Sequence, residues 1–157
     1  MKRDVKLYNV MFPIWMFIFL PTIVWLIILP VNFAVDSLVV LLMLGRLGLT
    51  PRKEIWKQSI IRVWLFGFLA DFIGAALTML LLVVFDNWGH VTLEMPYGQL
   101  LVLPGILLAG VFIYLLNRHF SFKKCYLADD AVKKLSLALA LFTAPYTMLW
   151  PIEWMYF

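Results

Sequence analysis

The stretch that decides the fold is IRVWLFGFLADFIGAALTMLLLVVF, residues 61–85. Arg62 and Asp71 are its two charged residues, and the remaining side chains are apolar or small. An apolar run of about 20 residues in helical conformation crosses the roughly 30 Å hydrocarbon core of a bilayer. The stretch therefore predicts a transmembrane helix with an aspartate inside it.

The rest of the chain has the same character. Hydrophobic residues make up 64% of its 157 residues and charged residues 14%, whereas soluble domains have about 25% charged residues. This composition excludes a soluble globular protein. The length fits a single membrane domain of four to six helices and leaves no room for a separate catalytic domain.

The basic residues predict how the chain crosses the membrane. All thirteen lysines and arginines lie in three clusters, and long apolar segments separate the clusters. Basic residues close to membrane spans stay in the cytoplasm, so two crossings are expected between successive clusters. The net charge of +4 then reflects topology, and nucleic acid is not an expected partner. The clusters are Lys2, Arg3, Lys6; Arg46, Arg52, Lys53, Lys57, Arg62; and Arg118, Lys123, Lys124, Lys133, Lys134.

The predicted fold is all-α: an integral membrane helix bundle formed by one domain, residues 1–157. Its N-terminus is cytoplasmic and its C-terminus lies outside. A tight turn at residues 30–32 separates the first two spans, and Thr50 with Pro51 starts an interfacial helix. The five predicted spans are about 9–29, 33–49, 61–85, 97–116 and 135–152, with the interfacial helix at about 51–60.

Asp71 is the most informative residue inside a predicted span. It follows Arg62 by nine positions, or about 13 Å along a helix, which places it near the middle of the bilayer. A charged aspartate at that depth costs about 2.5–3.5 kcal/mol, so such residues face protein or water and commonly serve a function. Thr78 lies on the same small and polar stripe of the helix. Asp71 and Thr78 are therefore candidates for an intramembrane polar site.

Asp36 and Thr143 are candidates for the same site. Asp36 precedes Arg46 by ten positions, or about 15 Å, and moves toward the outer interface if Arg46 extends to the cytoplasmic surface from inside the helix. Thr143 follows Lys134 by nine positions, which matches the depth of Asp71. Two facing carboxylates couple electrostatically and create a proton or cation site, whereas separate aspartates are satisfied by hydroxyls and loose carbonyls.

The segment NRHFSFKK, residues 117–124, alternates basic and aromatic residues at the end of a predicted helix. Anionic lipid headgroups suit such a segment, and so does an ordinary anchor at the inner interface. The predicted headgroup contacts are Asn117, Arg118, Lys123 and Lys124.

No metal site or cofactor is expected. Asp86, His90 and Glu94 have a helical spacing of four, but Gly89 and the pair Val91–Thr92 argue against a helix there. A solvated acidic loop is the better interpretation. Cys125 is the single cysteine, so an intramolecular disulfide is impossible. The chain has no phosphate-binding loop, dinucleotide motif or nucleophile–base pair.

Three strings, YNVMFPIW, LPVNFAVDSL and VWLFGFLADFIGA, resemble a family of small multi-pass membrane proteins from Gram-positive bacteria. The resemblance covers most of the chain and implies the cytoplasmic membrane of a bacterium. Residues 61–116, ended by NRHFSFK, are also similar to one half of the GtrA-like membrane proteins, which are linked to moving lipid-linked sugars. His119 stands where that family has a second arginine. This second resemblance implies a function with lipid headgroups.

The sequence leads to a non-enzymatic, multi-pass membrane protein that handles a small solute, an ion or a lipid headgroup, or that serves as the membrane subunit of a transport assembly. The expected partners are membrane lipids with anionic headgroups, and a second copy of the chain or another membrane protein. One alternative is a structural or assembly factor of the cytoplasmic membrane. Another is a lipid-modifying enzyme that uses an intramembrane aspartate and His119.

Overall fold

The computed structural model describes residues 25–87 and 97–149, and the regular structure in these two ranges is helical. The helices are α1 (Trp25–Arg46), α2 (Arg52–Asn87), α3 (Tyr97–Leu116) and α4 (Asp129–Phe142). A π-helical turn, Asn117–Ser121, continues α3, and a short 3₁₀ helix, Tyr146–Leu149, follows α4. The predicted all-α class is confirmed for this part of the chain.

Three of the helices in the described ranges can cross a membrane. The apolar spans are Leu26–Arg46, Arg52–Phe85 and Leu100–Ser121. Helices of this length and composition are those of a membrane protein. The span predicted at 9–29 lies largely outside the described residues, as does the loop between α2 and α3.

Helix α1 corrects the prediction of a turn at residues 30–32. It runs without interruption from Trp25 to Arg46 and contains Pro30. Proline is tolerated in a membrane helix where neighbouring side chains stabilise the backbone around it. Pro30 leaves the Leu26 carbonyl without its helical N–H, and Trp64 of α2 contacts the same stretch through a 3.3 Å hydrogen bond from its Nε1 to the carbonyl of Leu29. The predicted second span at 33–49 is therefore the later part of a longer helix.

Helix α2 corrects the predicted boundary between an interfacial helix at 51–60 and a span at 61–85. Its 36 residues form one continuous helix, about 54 Å long at 1.5 Å per residue. No glycine or proline occurs between Arg52 and Phe66 to interrupt it. The expected start after Thr50 and Pro51 is confirmed, since the helix begins at Arg52.

Helix α4 begins earlier than the predicted span at 135–152. Its first turn contains Asp129 and Asp130, and acidic residues favour the N-terminus of a helix. Lys133 Nζ lies 2.7 Å from Asp129, and Lys134 Nζ lies 3.2 Å from Asp130, each pair one helical turn apart. The predicted span at 135–152 therefore omits the polar first turns of this helix.

Helix α4 also ends earlier than predicted, at Phe142. Its 14 residues extend about 21 Å, less than the thickness of a bilayer core. Pro145 disfavours helical conformation at the residue before it, which favours an end of the helix at this point. The Leu141 carbonyl, which has no N–H partner at Pro145, accepts a 2.8 Å hydrogen bond from the Tyr146 hydroxyl. The described residues thus do not form the fifth span as one straight helix.

Helix α2 packs against α1 and α3, and α4 packs against the same two helices. The α2–α3 contact is closest where Gly74 meets Gly105. A Cβ atom added to Gly105 would lie 2.6 Å from the Gly74 carbonyl oxygen and still closer to the Thr78 hydroxyl. Glycine is therefore required at this crossing, as is common where membrane helices approach closely.

Apolar side chains cover the outside of the bundle as well as its interior. Leu26, Ile27 and Leu107 expose about two thirds of their surface or more, at 71%, 67% and 69%. In water such faces would be costly, but lipid tails cover them without penalty. One buried cluster packs around Val40, Leu44, Ile55, Val63, Ala70, Ile113, Phe122, Val132, Leu135 and Leu139, and a second around Ala75, Val102, Ile106, Ala144 and Met148.

The second and third basic clusters lie at the same end of the bundle, as predicted. Arg62 Nη1 donates a 3.0 Å hydrogen bond to the Phe120 carbonyl. Cys125 Sγ lies 3.8 Å from the Ile55 carbonyl oxygen. These contacts join the start of α2 to the loop that follows α3. We call this region the basic end; its cytoplasmic location remains a prediction.

Candidate intramembrane acid site

Asp36 occupies the middle of α1. It lies about 16 Å from Trp25 and about 15 Å from Arg46 along the helix, so the continuity of α1 through Pro30 places it centrally. Its exposed fraction is 6%. A Cβ atom added to Gly67 would lie 3.6 Å from Asp36 Oδ2, which shows that the carboxyl packs directly against α2. A small residue at position 67 leaves room for this carboxyl.

Asp71 lies one helical turn beyond Gly67 on α2, and its exposed fraction is 8%. Its carboxyl interacts electrostatically with that of Asp36. The Oδ1 atom of Asp71 is buried and has no hydrogen-bond partner. The structure therefore brings together the two aspartates that the sequence singled out, and leaves one oxygen of the pair unsatisfied.

Thr143 joins the pair from a third helix. It caps the C-terminus of α4, and its side chain lies within hydrogen-bonding reach of Asp36. The Thr143 hydroxyl also donates a 2.8 Å hydrogen bond to the Leu139 carbonyl. A protonated Asp36 can donate to the threonine oxygen, whereas a carboxylate competes with Leu139 for the single hydroxyl proton. The bonding at Thr143 therefore depends on whether Asp36 carries a proton.

No lysine or arginine in the described ranges forms an ion pair with Asp36 or Asp71. The ion pairs found there join Asp129 and Asp130 to basic residues at the basic end. Two neighbouring carboxyls without a basic partner cannot both be charged at low cost inside a membrane. The arrangement can hold a shared proton, or it can bind a small cation between the two side chains.

Thr78 has a different role from the one predicted. Its side chain is completely buried, and its hydroxyl donates a 3.0 Å hydrogen bond to the Gly74 carbonyl. It lies seven residues beyond Asp71, about 10 Å along α2, at the crossing with Gly105. Thr78 therefore packs α2 against α3 and does not belong to the acid pair.

Asn117 corrects one predicted headgroup contact. Its side chain has no exposed surface. Its Nδ2 donates a 2.8 Å hydrogen bond to the Ile113 carbonyl, and its Oδ1 accepts a 2.6 Å bond from the Ser121 hydroxyl. These bonds link the π-helical turn to the end of α3. Asn117 is thus a structural residue, because its buried amide forms hydrogen bonds with polar groups of the π-helical turn and of the end of α3.

The other three predicted headgroup contacts lie near the surface. Lys123 and Lys124 are exposed. Arg118 is partly neutralised, since its Nη2 lies 3.8 Å from Asp129 and its Nη1 donates a 3.2 Å bond to the Tyr114 hydroxyl. The hydrogen bond from Lys133 holds the pKa of Asp129 below its usual range, so this partner stays charged near neutrality.

His119 is not near the acid pair. It is exposed, and its Nδ1 lies 2.9 Å from the Leu115 carbonyl oxygen. The next residue, Phe120, contacts Arg62, which is about 13 Å below Asp71 on α2. A general acid and base must reach the same substrate atom within about 3 Å, directly or through one water. The geometry does not bring together the groups that the enzyme hypothesis requires.

The predicted acidic loop around His90 lies outside the described residues, and the side chain of Asp86 is not described either. Within residues 25–87 and 97–149, no three side chains capable of binding a metal come together.

Sequence reasoning missed an open groove at the basic end, lined by Gln58, Arg62, Lys124 and Tyr126. Its two halves are more than 60 positions apart in the chain, and only the packing of α2 against the loop after α3 brings them together. The one feature of the sequence that could have indicated the groove is the position of Arg62 at the start of the apolar stretch. Comparison of the chain with protein-family models, with curated proteins and with solved structures gives no match.

Proposed function

We propose that this chain is a non-enzymatic, multi-pass membrane protein that binds and releases a proton or a small monovalent cation at Asp36 and Asp71, and that this binding is coupled to the movement of a small solute or ion. The single observation that carries the proposal is the burial of two carboxyls on facing parts of α1 and α2, close enough to repel each other, with no basic partner for either in the described ranges and one oxygen of Asp71 unsatisfied.

The physical support comes from the cost of charge at this depth. One unpaired aspartate in mid-membrane costs about 2.5–3.5 kcal/mol, and a second charge beside it adds repulsion. Binding one proton or cation removes most of this penalty. Helix packing alone does not need a carboxyl, since apolar or small residues pack helices without the free-energy cost of a buried charge, as Gly74 and Gly105 do at their crossing.

The location of the site also supports coupling. Its three groups belong to α1, α2 and the end of α4. Loading the carboxyls changes the repulsion between α1 and α2 and the bonding of Thr143, so occupancy biases how these helices pack. The proposed setting is the cytoplasmic membrane of a bacterium, with the basic end in the cytoplasm. A second copy of the chain or another membrane protein is the proposed partner.

The test is infrared titration of the purified chain in lipid bilayers, with proton concentration and sodium as the variables. The wild type should show an absorption band of a protonated carboxylic acid that decreases when sodium is added or when the pH rises. Asp71→Asn and Asp36→Asn should each alter or remove this band. Asp129→Asn is the matched control, because Asp129 is exposed at the basic end.

Transport is then measured with the same variants in liposomes that contain a pH-sensitive dye. Both intramembrane variants should lose proton- or sodium-driven dye responses, and the control should keep them. If the acid band and the flux are the same in Asp71→Asn as in the wild type, the proposal is wrong. If Asp71→Asn changes stability alone, a structural or assembly role replaces it.

A further inference from the structure

The groove at the basic end has the chemistry of an anion site. Its lining consists of a guanidinium, an ammonium, an amide and a phenol, from Arg62, Lys124, Gln58 and Tyr126. All four side chains can donate hydrogen bonds, and no carboxylate lines the groove. Phosphate groups are recognised by such sets of donors, with arginine as the preferred partner.

Arg62 is held in position before any ligand arrives. Its Nη1 donates a 3.0 Å hydrogen bond to the Phe120 carbonyl, and its Nη2 donates a 2.7 Å bond to the Gln58 carbonyl. A guanidinium has five N–H groups, so three remain for a ligand. Because the side chain is already ordered by the protein, less conformational entropy is lost when it binds an anion.

The charge around the groove is strongly positive and largely uncompensated. From Arg46 to Lys134, ten basic residues lie at this end, whereas the acidic residues there are Glu54, Asp129 and Asp130. The two aspartates are engaged by Lys133, Lys134 and Arg118. Neither Arg62 nor Lys124 takes part in an ion pair within the described ranges.

The position of the groove identifies a lipid as the source of the phosphate. Arg62 marks the level at which the apolar part of α2 begins, which is the level of lipid headgroups. On either side of it along α2, Ile61 and Leu65 expose 62% and 53% of their surface, and Phe120, whose carbonyl bonds to Arg62, exposes 50%. A headgroup in the groove would therefore have an apolar surface beside it for its acyl chains.

Tyr126 is the fourth residue that lines the groove. Its side chain is 98% exposed and its backbone φ is 50°, a left-handed conformation that is uncommon for a bulky residue. An exposed aromatic side chain with a hydroxyl suits the boundary between headgroups and water, where one part of the ring contacts lipid and the hydroxyl contacts water. The strained backbone places this ring at the mouth of the groove.

We infer that Arg62, Lys124, Gln58 and Tyr126 form a binding site for the phosphate of an anionic phospholipid. The site is about 13 Å along α2 from Asp71 and does not depend on the proposed proton or cation binding.

The experiment measures binding of short-chain phosphatidylglycerol to the full chain in an uncharged detergent, by isothermal titration calorimetry. Inorganic phosphate and an uncharged diacylglycerol of the same chain length are the comparison ligands. We expect saturable binding of phosphatidylglycerol, at least tenfold weaker binding of inorganic phosphate, and none of the diacylglycerol at the same site.

Lys124→Gln and Arg62→Gln should each weaken binding of phosphatidylglycerol by about tenfold or more, the usual loss for a charge-assisted hydrogen bond. Lys53→Gln is the matched control, because Lys53 is an exposed cation of α2 outside the groove. Arg62 also bonds to Phe120, so Arg62→Gln can disturb the fold as well as the binding site. Lys124 makes no such contact in the described ranges, so weaker binding in Lys124→Gln reports on the groove itself. Equal weakening by Lys53→Gln, or unchanged binding in Lys124→Gln, overturns the site. Equal affinity for inorganic phosphate overturns the lipid as its occupant.

Discussion

Replacing Gly105 by alanine should destabilise the bundle, because the added methyl group has no space. Its Cβ would lie 2.6 Å from the Gly74 carbonyl oxygen, whereas ordinary van der Waals contact begins at 3.4 Å. Helices α2 and α3 would therefore have to separate by at least about 0.8 Å, and the Thr78 hydroxyl, which is closer still, would have to rotate away. Overpacking of this kind costs about 1–3 kcal/mol, which exceeds the gain of up to about 1 kcal/mol that alanine brings over glycine in a helix. The expected net loss is about 0–2 kcal/mol relative to the wild type, and about 1–3 kcal/mol relative to an alanine placed on the same helix without a clash.

Gly110→Ala is the matched control on the same helix. The nearest atom to its added Cβ is the Ala140 carbonyl oxygen at 3.8 Å, an ordinary contact. This variant should be as stable as the wild type or slightly more stable. Reversible unfolding of both variants in mixed micelles, followed by circular dichroism, measures the difference. If Gly105→Ala is no less stable than Gly110→Ala, the two helices do not approach as closely as described.

Two further predictions concern the basic end. Asn117→Ala should lower the free energy of unfolding by about 1–3 kcal/mol, because it leaves the buried Ser121 hydroxyl without its acceptor, and the exposed His119→Ala should change it little in the same unfolding assay. Burial raises the pKa of the Cys125 thiol, against a smaller opposing effect of Arg62, so its thiolate is scarce at neutral pH and maleimide should label it slowly, faster as the pH rises. The double variant Tyr126→Cys, Cys125→Ser carries its thiol at an exposed position, so maleimide should label it much faster at neutral pH and only from the cytoplasmic side. Equal labelling rates for the two thiols would contradict the burial of Cys125. Labelling from outside would contradict the proposed orientation.

The helix boundaries that could be predicted are those with a clear signal at both ends. The predicted span at 97–116 coincides with α3, because Pro96 precedes it and the polar Asn117 follows it. Pro30 misled the prediction, since a proline followed two positions later by an asparagine usually indicates a turn in water. In this bundle the Trp64 indole donates a hydrogen bond to the carbonyl of Leu29, next to Pro30. A contact between residues 35 positions apart leaves no local pattern in the sequence.

The acid site was predictable as a set of residues but not as a contact. Depth along each helix identified Asp36, Asp71 and Thr143, and the structure places them together. The predicted depth of Asp36 depended on whether Arg46 marks the membrane boundary or extends to it from inside the helix, which hydrophobicity alone does not determine. Thr78 and Asn117 were misassigned because a polar side chain can satisfy the backbone of its own helix as well as a ligand, and the two uses have the same spacing in sequence.

The uninterrupted course of α2 has a mechanical consequence. Asp71 of the acid pair, Arg62 of the groove and the basic start of the helix all belong to this one continuous helix, with Asp71 about 28 Å from Arg52. A tilt of about 5° around the level of Asp71 moves the Arg52 end by about 2.5 Å and the Arg62 guanidinium by about 1 Å. A small change of packing deep in the bilayer therefore becomes a larger displacement at the membrane surface, with α2 itself as the lever.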